Sequence, residues 1–428
     1  MIKKIPKLIS EQMILIERDG HIPLLIMTVC IQGGIIVSQF MTAFFITPSE
    51  MGIIRAIESV LSILILVGGL GMQSLSIREV AVNQDKINQI NVLRNIYMLI
   101  SLGALLTVFS VIIVRSFSNQ SIMLDHIVMI SGVVFIANAI RVTSGFAQGA
   151  GLVGKTYLHM MFATIASQAL NVVVASQWGV TGWIIGRYIS ELITLTVIIW
   201  IINKLVGVFN HYAPISSKQI KQLLYDGFKI NIALIVKLIG DNVPILMMVA
   251  LKLPNDKIGF FGLAILAINS SMLPIVISAQ RAFPKMSSYR FKPKELAGIT
   301  KMLVKICLKL AFLSFIILFI GSILMYKILA GVYADAFLLT AVLCLTIPLK
   351  SIALAYGTNL VATNQMNAAV KINLLEVMIT IILGLIAIKI WDMFGLVCAI
   401  FLANLWSAIA HYAFVESAHN KIDCQARS

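Results

Sequence analysis

The sequence predicts an all-α polytopic membrane protein: twelve transmembrane helices in two six-helix bundles, related by an internal parallel repeat around a central cavity. Three observations predict it, namely a composition that no soluble fold can hide, twelve apolar stretches of spanning length, and a repeat at nearly half the chain length. Of 428 residues, 59% are apolar and 12% charged, against about 45–50% and about 25% in soluble domains. Too little polar surface remains to coat a water-soluble molecule of this size. Soluble enzymes and secreted scaffolds are thereby excluded, and so is intrinsic disorder, which requires a low apolar content.

A spanning helix needs about 20 apolar residues, because each backbone group must find its hydrogen bond inside the segment once water is gone. Such stretches fall at about 22–46, 53–77, 95–114, 127–149, 158–177, 180–202, 230–251, 258–280, 303–326, 336–357, 370–390 and 393–415. The connections near Gln177 and Asp392 are so short that their neighbours must form antiparallel hairpins. Strands of about 9–11 residues with alternating polarity are absent, which excludes a β-barrel. Ahead of the first span, Ile2, Ile5, Leu8, Ile9, Met13 and Ile16 recur at roughly helical spacing among basic residues. That pattern suits a short helix lying in the cytoplasmic interface, and its interruption by Glu11 and Glu17 excludes a signal-peptide core.

The formal charge of +15 belongs to the loops. With a cytoplasmic N-terminus, twenty basic residues of the non-spanning segments lie inside and five outside, so both termini are expected on the cytoplasmic side. This asymmetry absorbs most of the charge and leaves a nucleic-acid partner without support. The five cysteines include no CxxC pair, which indicates neither a disulfide framework nor a zinc site.

The repeat is visible at two offsets. At 207 residues, Asp19-Gly20 matches Asp226-Gly227, Gly52 matches Gly259, Arg78 matches Lys285 and Arg94 matches Lys301; at 213 residues, Trp178 to Gly182 matches Trp391 to Gly395. Six spans per half make the repeat parallel, about an axis along the membrane normal. It divides the chain into an N-terminal lobe over 1–207 and a C-terminal lobe over 208–428, joined by a linker from Lys204 to Gln222.

On the stretches SEMGIIRAIESVLSILILVGGLGMQSLSIRE (Ser49 to Glu79) and NVVVASQWGVTG (Asn171 to Gly182), and on the opening of the second half from Asp226 to Pro284, nearly the whole chain resembles the multidrug/oligosaccharidyl-lipid/polysaccharide exporter (MOP) superfamily. The branch it resembles is the bacterial O-antigen and polysaccharide flippases. The resemblance implies a cavity opening alternately to either side of the membrane. It also implies an undecaprenyl pyrophosphate-linked oligosaccharide as cargo, with membrane lipids and other polysaccharide assembly proteins as partners. No cofactor is expected, and a proton or sodium gradient is the candidate energy source.

Ionisable groups at membrane depth cost about 2.5–3.5 kcal/mol each even on the permissive insertion scale, so each needs a reason. Arg55 with Glu58, Arg187 with Glu191 and Lys237 with Asp241 are spaced to share a helix face. Self-neutralised pairs are one reading, and charges facing a cavity are the other. Pro244 follows the third pair and can loosen its helix. Arg141 and Lys350 have no opposite charge within a turn. Arg141 shares a stripe with Asn138, Ser144 and Gln148 that reads as a wetted face, and Glu376 or Asp241 could pair with it or with Lys350 from another helix. Arg141, Arg187, Lys237 and Lys350 are therefore the candidate substrate-binding residues, with Asp241, Glu191 and Glu58 as charge partners or coupling groups.

The chain carries neither a GxxxxGK[ST] loop nor an HExxH motif, so ATP-driven transport and zinc-dependent hydrolysis are not indicated and no enzyme is expected. A cation-coupled multidrug exporter of the same superfamily is the alternative; it calls for acidic residues in the first lobe, where Glu58 and Glu191 form no cluster. An O-antigen polymerase or ligase ranks behind, because no outside loop exceeds about a dozen residues. The topology is directly testable: an alkaline phosphatase reporter fused after Lys292 or Arg427 should stay inactive, and activity at either position would contradict it.

Overall fold

The computed structural model describes residues 21–82, 85–117, 122–207, 217–289, 292–328, 331–363 and 365–425. The amphipathic segment from Ile2 to Ile16, Asp19-Gly20 and most of the linker lie outside them. Fourteen helices are described: α1 (His21–Phe45), α2 (Pro48–Gly69), α3 (Met72–Val82), α4 (Lys86–Phe117), α5 (Ile122–Ile130), α6 (Val133–Gly149), α7 (Val153–Val206), α8 (Ser217–Ala250), α9 (Asn255–Ser271), α10 (Leu273–Ser288), α11 (Pro293–Ile328), α12 (Ala334–Leu343), α13 (Thr346–Ala362) and α14 (Met366–Gln425).

These helices account for the twelve expected segments. The pair α2 and α3 forms one apolar segment, while α5–α6, α9–α10 and α12–α13 are apolar helix pairs bent by 42°, 40° and 48° at short breaks. α7 and α14, at 54 and 60 residues, are each twice the length a bilayer needs. Both reverse at the dipeptides the sequence repeat singles out. Trp178 and Gly179 have φ/ψ of −125°/16° and 57°/−134°; Trp391 and Asp392 have −129°/17° and 53°/−131°. The same turn is thus built twice, once with the glycine that a positive φ favours and once with an aspartate that must bear the strain. Lys257 Nζ donates to Asp392 Oδ2 and ties the second turn to the start of α9.

The chain forms two compact units. One comprises Met1–Phe45 with Leu64–Asn231, the other Ile46–Ile63 with Ile232–Ser428. α2 and α8 therefore each pass from one unit to the other in mid-helix. The opening of α2 enters the second unit through Gly52, where a Cβ would lie 1.8 Å from the Asn255 carbonyl oxygen, and through Gly259, where one would lie 2.2 Å from the Pro48 carbonyl oxygen. Only two glycines allow backbones so close. Tyr333 strengthens the attachment: its hydroxyl donates to the Ile46 carbonyl at 3.0 Å and its ring meets Phe260 edge-on at 6.0 Å. In the first unit, Asn231 Nδ2 donates to the Leu66 carbonyl at 2.9 Å. Arg78 there holds Asp226 at 2.6 Å and Glu79 at 2.8 Å.

Two substitutions test these contacts through thermal unfolding in detergent. Gly52→Ala should cost at least about 1–3 kcal/mol through overpacking. Asp392→Gly should raise the midpoint, because relief of about 1–3 kcal/mol of backbone strain exceeds the loss of a half-exposed ion pair worth about 0–1 kcal/mol.

Candidate functional site

Three charged pairs at helical spacing behave in two ways. Arg55, only 5% exposed, binds Glu58 at 2.7 Å, and its stem fills the space left by Gly262, where a Cβ would meet the Arg55 side chain at 2.5 Å. Arg187 binds Glu191 at 2.9 Å. Lys237 and Asp241, by contrast, make no ion pair within 4.0 Å among the described residues. Both are exposed, and both line a cavity of about 590 Å³ inside the second unit.

The local structure explains how this cavity opens. In α8, Pro244 has no N–H for the carbonyl of Gly240, so a backbone acceptor is released beside Asp241, and Gly240 lines the cavity. Asn269 and Gln280 flank the break between α9 and α10, which falls where Pro274 opens the new helix. Lys350 follows the 48° bend between α12 and α13, with Pro348 in the first turn, where a missing N–H costs least. From α14 come Asn373, Glu376, Asn404, Ser407 and His411. The Glu376 carboxyl is within hydrogen-bonding reach of Ser407 and feels the charges of Lys350, Asp241 and Lys237. His411 Nδ1 lies 2.8 Å from the Ser407 carbonyl; a carbonyl only accepts, so Nδ1 carries a proton, and Nε2 lies on the Gly357 side of the ring.

Of the sequence candidates, then, Lys237, Asp241 and Lys350 share one cavity with Glu376. Glu58 lies elsewhere in the second unit, fixed by Arg55. Arg141, Arg187 and Glu191 belong to the first unit, where exposed Arg141 lies within electrostatic reach of the Arg187–Glu191 pair. The wetted stripe expected around Arg141 is not formed. Asn138 donates to the Ile65 carbonyl at 2.9 Å, Ser144 to the Ile140 carbonyl at 2.8 Å, and Gln148 to Tyr157, so these groups serve packing. A second cavity, of about 370 Å³, lies in the first unit between Glu79, Asn88, Asn91 and Asp226. Sequence reasoning missed His411 and the amides. Helical spacing on α14 was the available signal, since Glu376 and Asn373, and likewise Asn404, Ser407 and His411, recur every three or four residues. Among the described residues no group of three or more His, Cys, Asp or Glu could hold a metal ion.

No family model matches the sequence, and no curated protein matches it. Solved structures do match the fold. An inward-facing multidrug resistance MATE family transporter of the MOP superfamily aligns with 94% of this chain and 95% of its own at a TM-score of 0.69 and 13% identity. An outward-facing MATE structure aligns with 94% of each chain at 0.68 and 14%. A MOP superfamily transporter from Pyrococcus furiosus, described as having a binding pocket of reverse polarity that suggests a different function, covers 94% and 95% at 0.68 and 14%. The chain shares the fold of these structures over nearly its whole length.

These matches correct the expectation of a polysaccharide flippase with a lipid-linked oligosaccharide cargo and polysaccharide assembly partners. Structures that share the fold over nearly the whole chain include multidrug transporters. The reason is physical. The stretches that carried the resemblance hold the Gly52–Gly259 crossing and the Trp178-Gly179 turn, features that build helix packing and carry no information about cargo.

The open Lys237–Asp241 pair makes a prediction that a closed pair would not. Lys237→Met and Asp241→Leu should each leave membrane abundance near normal, because neither strands a bonded partner. Arg187→Met should lower abundance sharply, since it leaves Glu191 mostly buried without its cation, a loss of about 3–5 kcal/mol. Quantitative blotting of membrane fractions checks both.

Proposed function

We propose that this protein is a cation-coupled exporter of small organic cations, working by alternating access in a bacterial inner membrane with both termini on the cytoplasmic side. The observation that carries the proposal is the cavity of the second unit, where Asp241 and Glu376 face Lys237 and Lys350 without the closed pairing seen for Arg55–Glu58 and Arg187–Glu191. The matching of this fold to inward- and outward-facing multidrug transporters supports it.

The chemistry follows from charge. An ionised carboxylate at low dielectric attracts an organic cation strongly, and the cavity's apolar side chains, among them Met272, Phe283 and Val377, offer it a surface. A proton or sodium ion taken up by Asp241 or Glu376 cancels the same attraction. Substrate and coupling ion therefore compete, and the linkage is reciprocal. Lys237 and Lys350 keep the empty cavity near neutral and give way when the substrate arrives. His411 and Ser407 lie along the route by which a proton reaches Glu376. Acidic groups in the first lobe are not required, since Glu191 is committed to Arg187. Arg141 lies in the first unit and does not line this cavity, and the proposal gives Arg187, Glu191 and Glu58 structural roles.

The test is export of a cationic dye from cells expressing each variant at equal membrane abundance. Asp241→Asn and Glu376→Gln should each reduce efflux at least about tenfold, the loss expected when an interaction of about 1.4 kcal/mol or more is removed. Efflux at the unmodified level in both variants would overturn the proposal.

A further inference from the structure

One line of charge at the start of a span belongs to neither cavity. On α11, Lys301, Lys305 and Lys309 follow one another at intervals of four residues and all three are exposed. They form a single ridge about 12 Å long, and Lys309 lies about 9 Å inside the apolar stretch that begins near residue 303. The opposite face of the helix packs inward through Leu303, Cys307 and Ala311, which are 3%, 0% and 0% exposed. Among the described residues no carboxylate lies within 4.0 Å of the three amines.

The internal repeat shows that the fold does not demand these lysines. At the offset of 207, Lys301 corresponds to Arg94, but Lys305 corresponds to Met98 and Lys309 to Leu102. Met98 and Leu102 are 49% and 51% exposed, as apolar side chains facing lipid should be. The second half thus carries two ammonium groups where its twin presents hydrocarbon. Beyond Lys309 the ridge turns apolar and stays exposed, through Leu313, Ile317, Ile320 and Leu324 at 55%, 61%, 52% and 52%. Positive charge at one end followed by an exposed apolar track matches an anionic phospholipid, headgroup first and acyl chain after.

We infer that the Lys301–Lys305–Lys309 ridge of α11 is a binding site for the phosphate headgroup of an anionic membrane phospholipid, whose chain lies along Leu313 and Ile317. A lysine stem reaches toward the interface, but an amine this deep gains most when a phosphate oxygen descends to meet it. Further exposed cations, Lys285, Lys292 and Lys294, lie at the same end of the spans and raise the local concentration of anionic lipid. The site is independent of the transport reading, since none of these residues lines the cavity of the second unit.

The test compares the purified full chain with the double variant Lys305→Met, Lys309→Leu, which copies the first half's own residues. Thermal unfolding in detergent is followed with added cardiolipin, phosphatidylglycerol, phosphatidylcholine or inorganic phosphate. The unmodified protein should gain several degrees with cardiolipin and phosphatidylglycerol and none with phosphatidylcholine, and native mass spectrometry should show retained anionic lipid. The double variant should lose both the shift and the retained lipid, while Lys305→Arg with Lys309→Arg keeps them. An anionic-lipid shift that survives in the double variant would overturn the inference. So would an equal shift with inorganic phosphate, which would show a phosphate site indifferent to the acyl chain. If the double variant does not yield folded protein, Lys309→Met alone carries the same comparison, with retained lipid as the readout.

Discussion

The contact between Gly52 and Gly259 sets the terms for the second unit. Backbone meets backbone there, with no room for a single methyl group, and this crossing carries the opening of α2 into a unit otherwise built from the second half of the chain. α8 makes the reciprocal passage: its first turns lie with the first unit, held at Asp226 and Asn231, and its later turns carry Lys237 and Asp241 into the second. Association of helices in lipid gains nothing from the hydrophobic effect, so such close approaches and buried hydrogen bonds must supply the specificity.

Inside that frame the protein treats charge in three ways. Arg55–Glu58 and Arg187–Glu191 are closed pairs, which satisfy each other and hold helices in place. Lys237, Asp241, Lys350 and Glu376 are left open around a cavity, where water, ions or substrate must complete them. Lys305 and Lys309 face outward on a lipid-length helix. The cost of an ionisable group in a membrane is similar in all three settings; what differs is the partner each setting leaves available.

Much of the architecture was legible in the sequence. Spans are legible because a bilayer imposes a length and a polarity on every segment, and the hairpins at Gln177 and Asp392 because the gap left no residues for a loop. The matched tryptophans were legible as a repeat, while their meaning, a turn with one residue at positive φ, required coordinates. Helical spacing could pair Lys237 with Asp241 but could not tell an open pair from a closed one, since that depends on side chains from α10, α13 and α14. Nor could it separate the stripe at Asn138 and Gln148 from a wetted face, because the groups that satisfy those amides, the Ile65 carbonyl and Tyr157, are on other helices or another turn of chain. The resemblance to flippases misled for a related reason: the residues that carried it shape helix crossings.

The central claim is that Asp241 and Glu376 hold either a coupling ion or an organic cation. Its most direct measurement is proton release when a cationic dye binds the purified protein, obtained by titration calorimetry in two buffers of different ionisation enthalpy. The account predicts that binding releases up to about one proton, and that the variant Asp241→Asn with Glu376→Gln binds the dye weakly and releases none. Tight binding that is unchanged in that variant, releases no proton and is insensitive to sodium would contradict it.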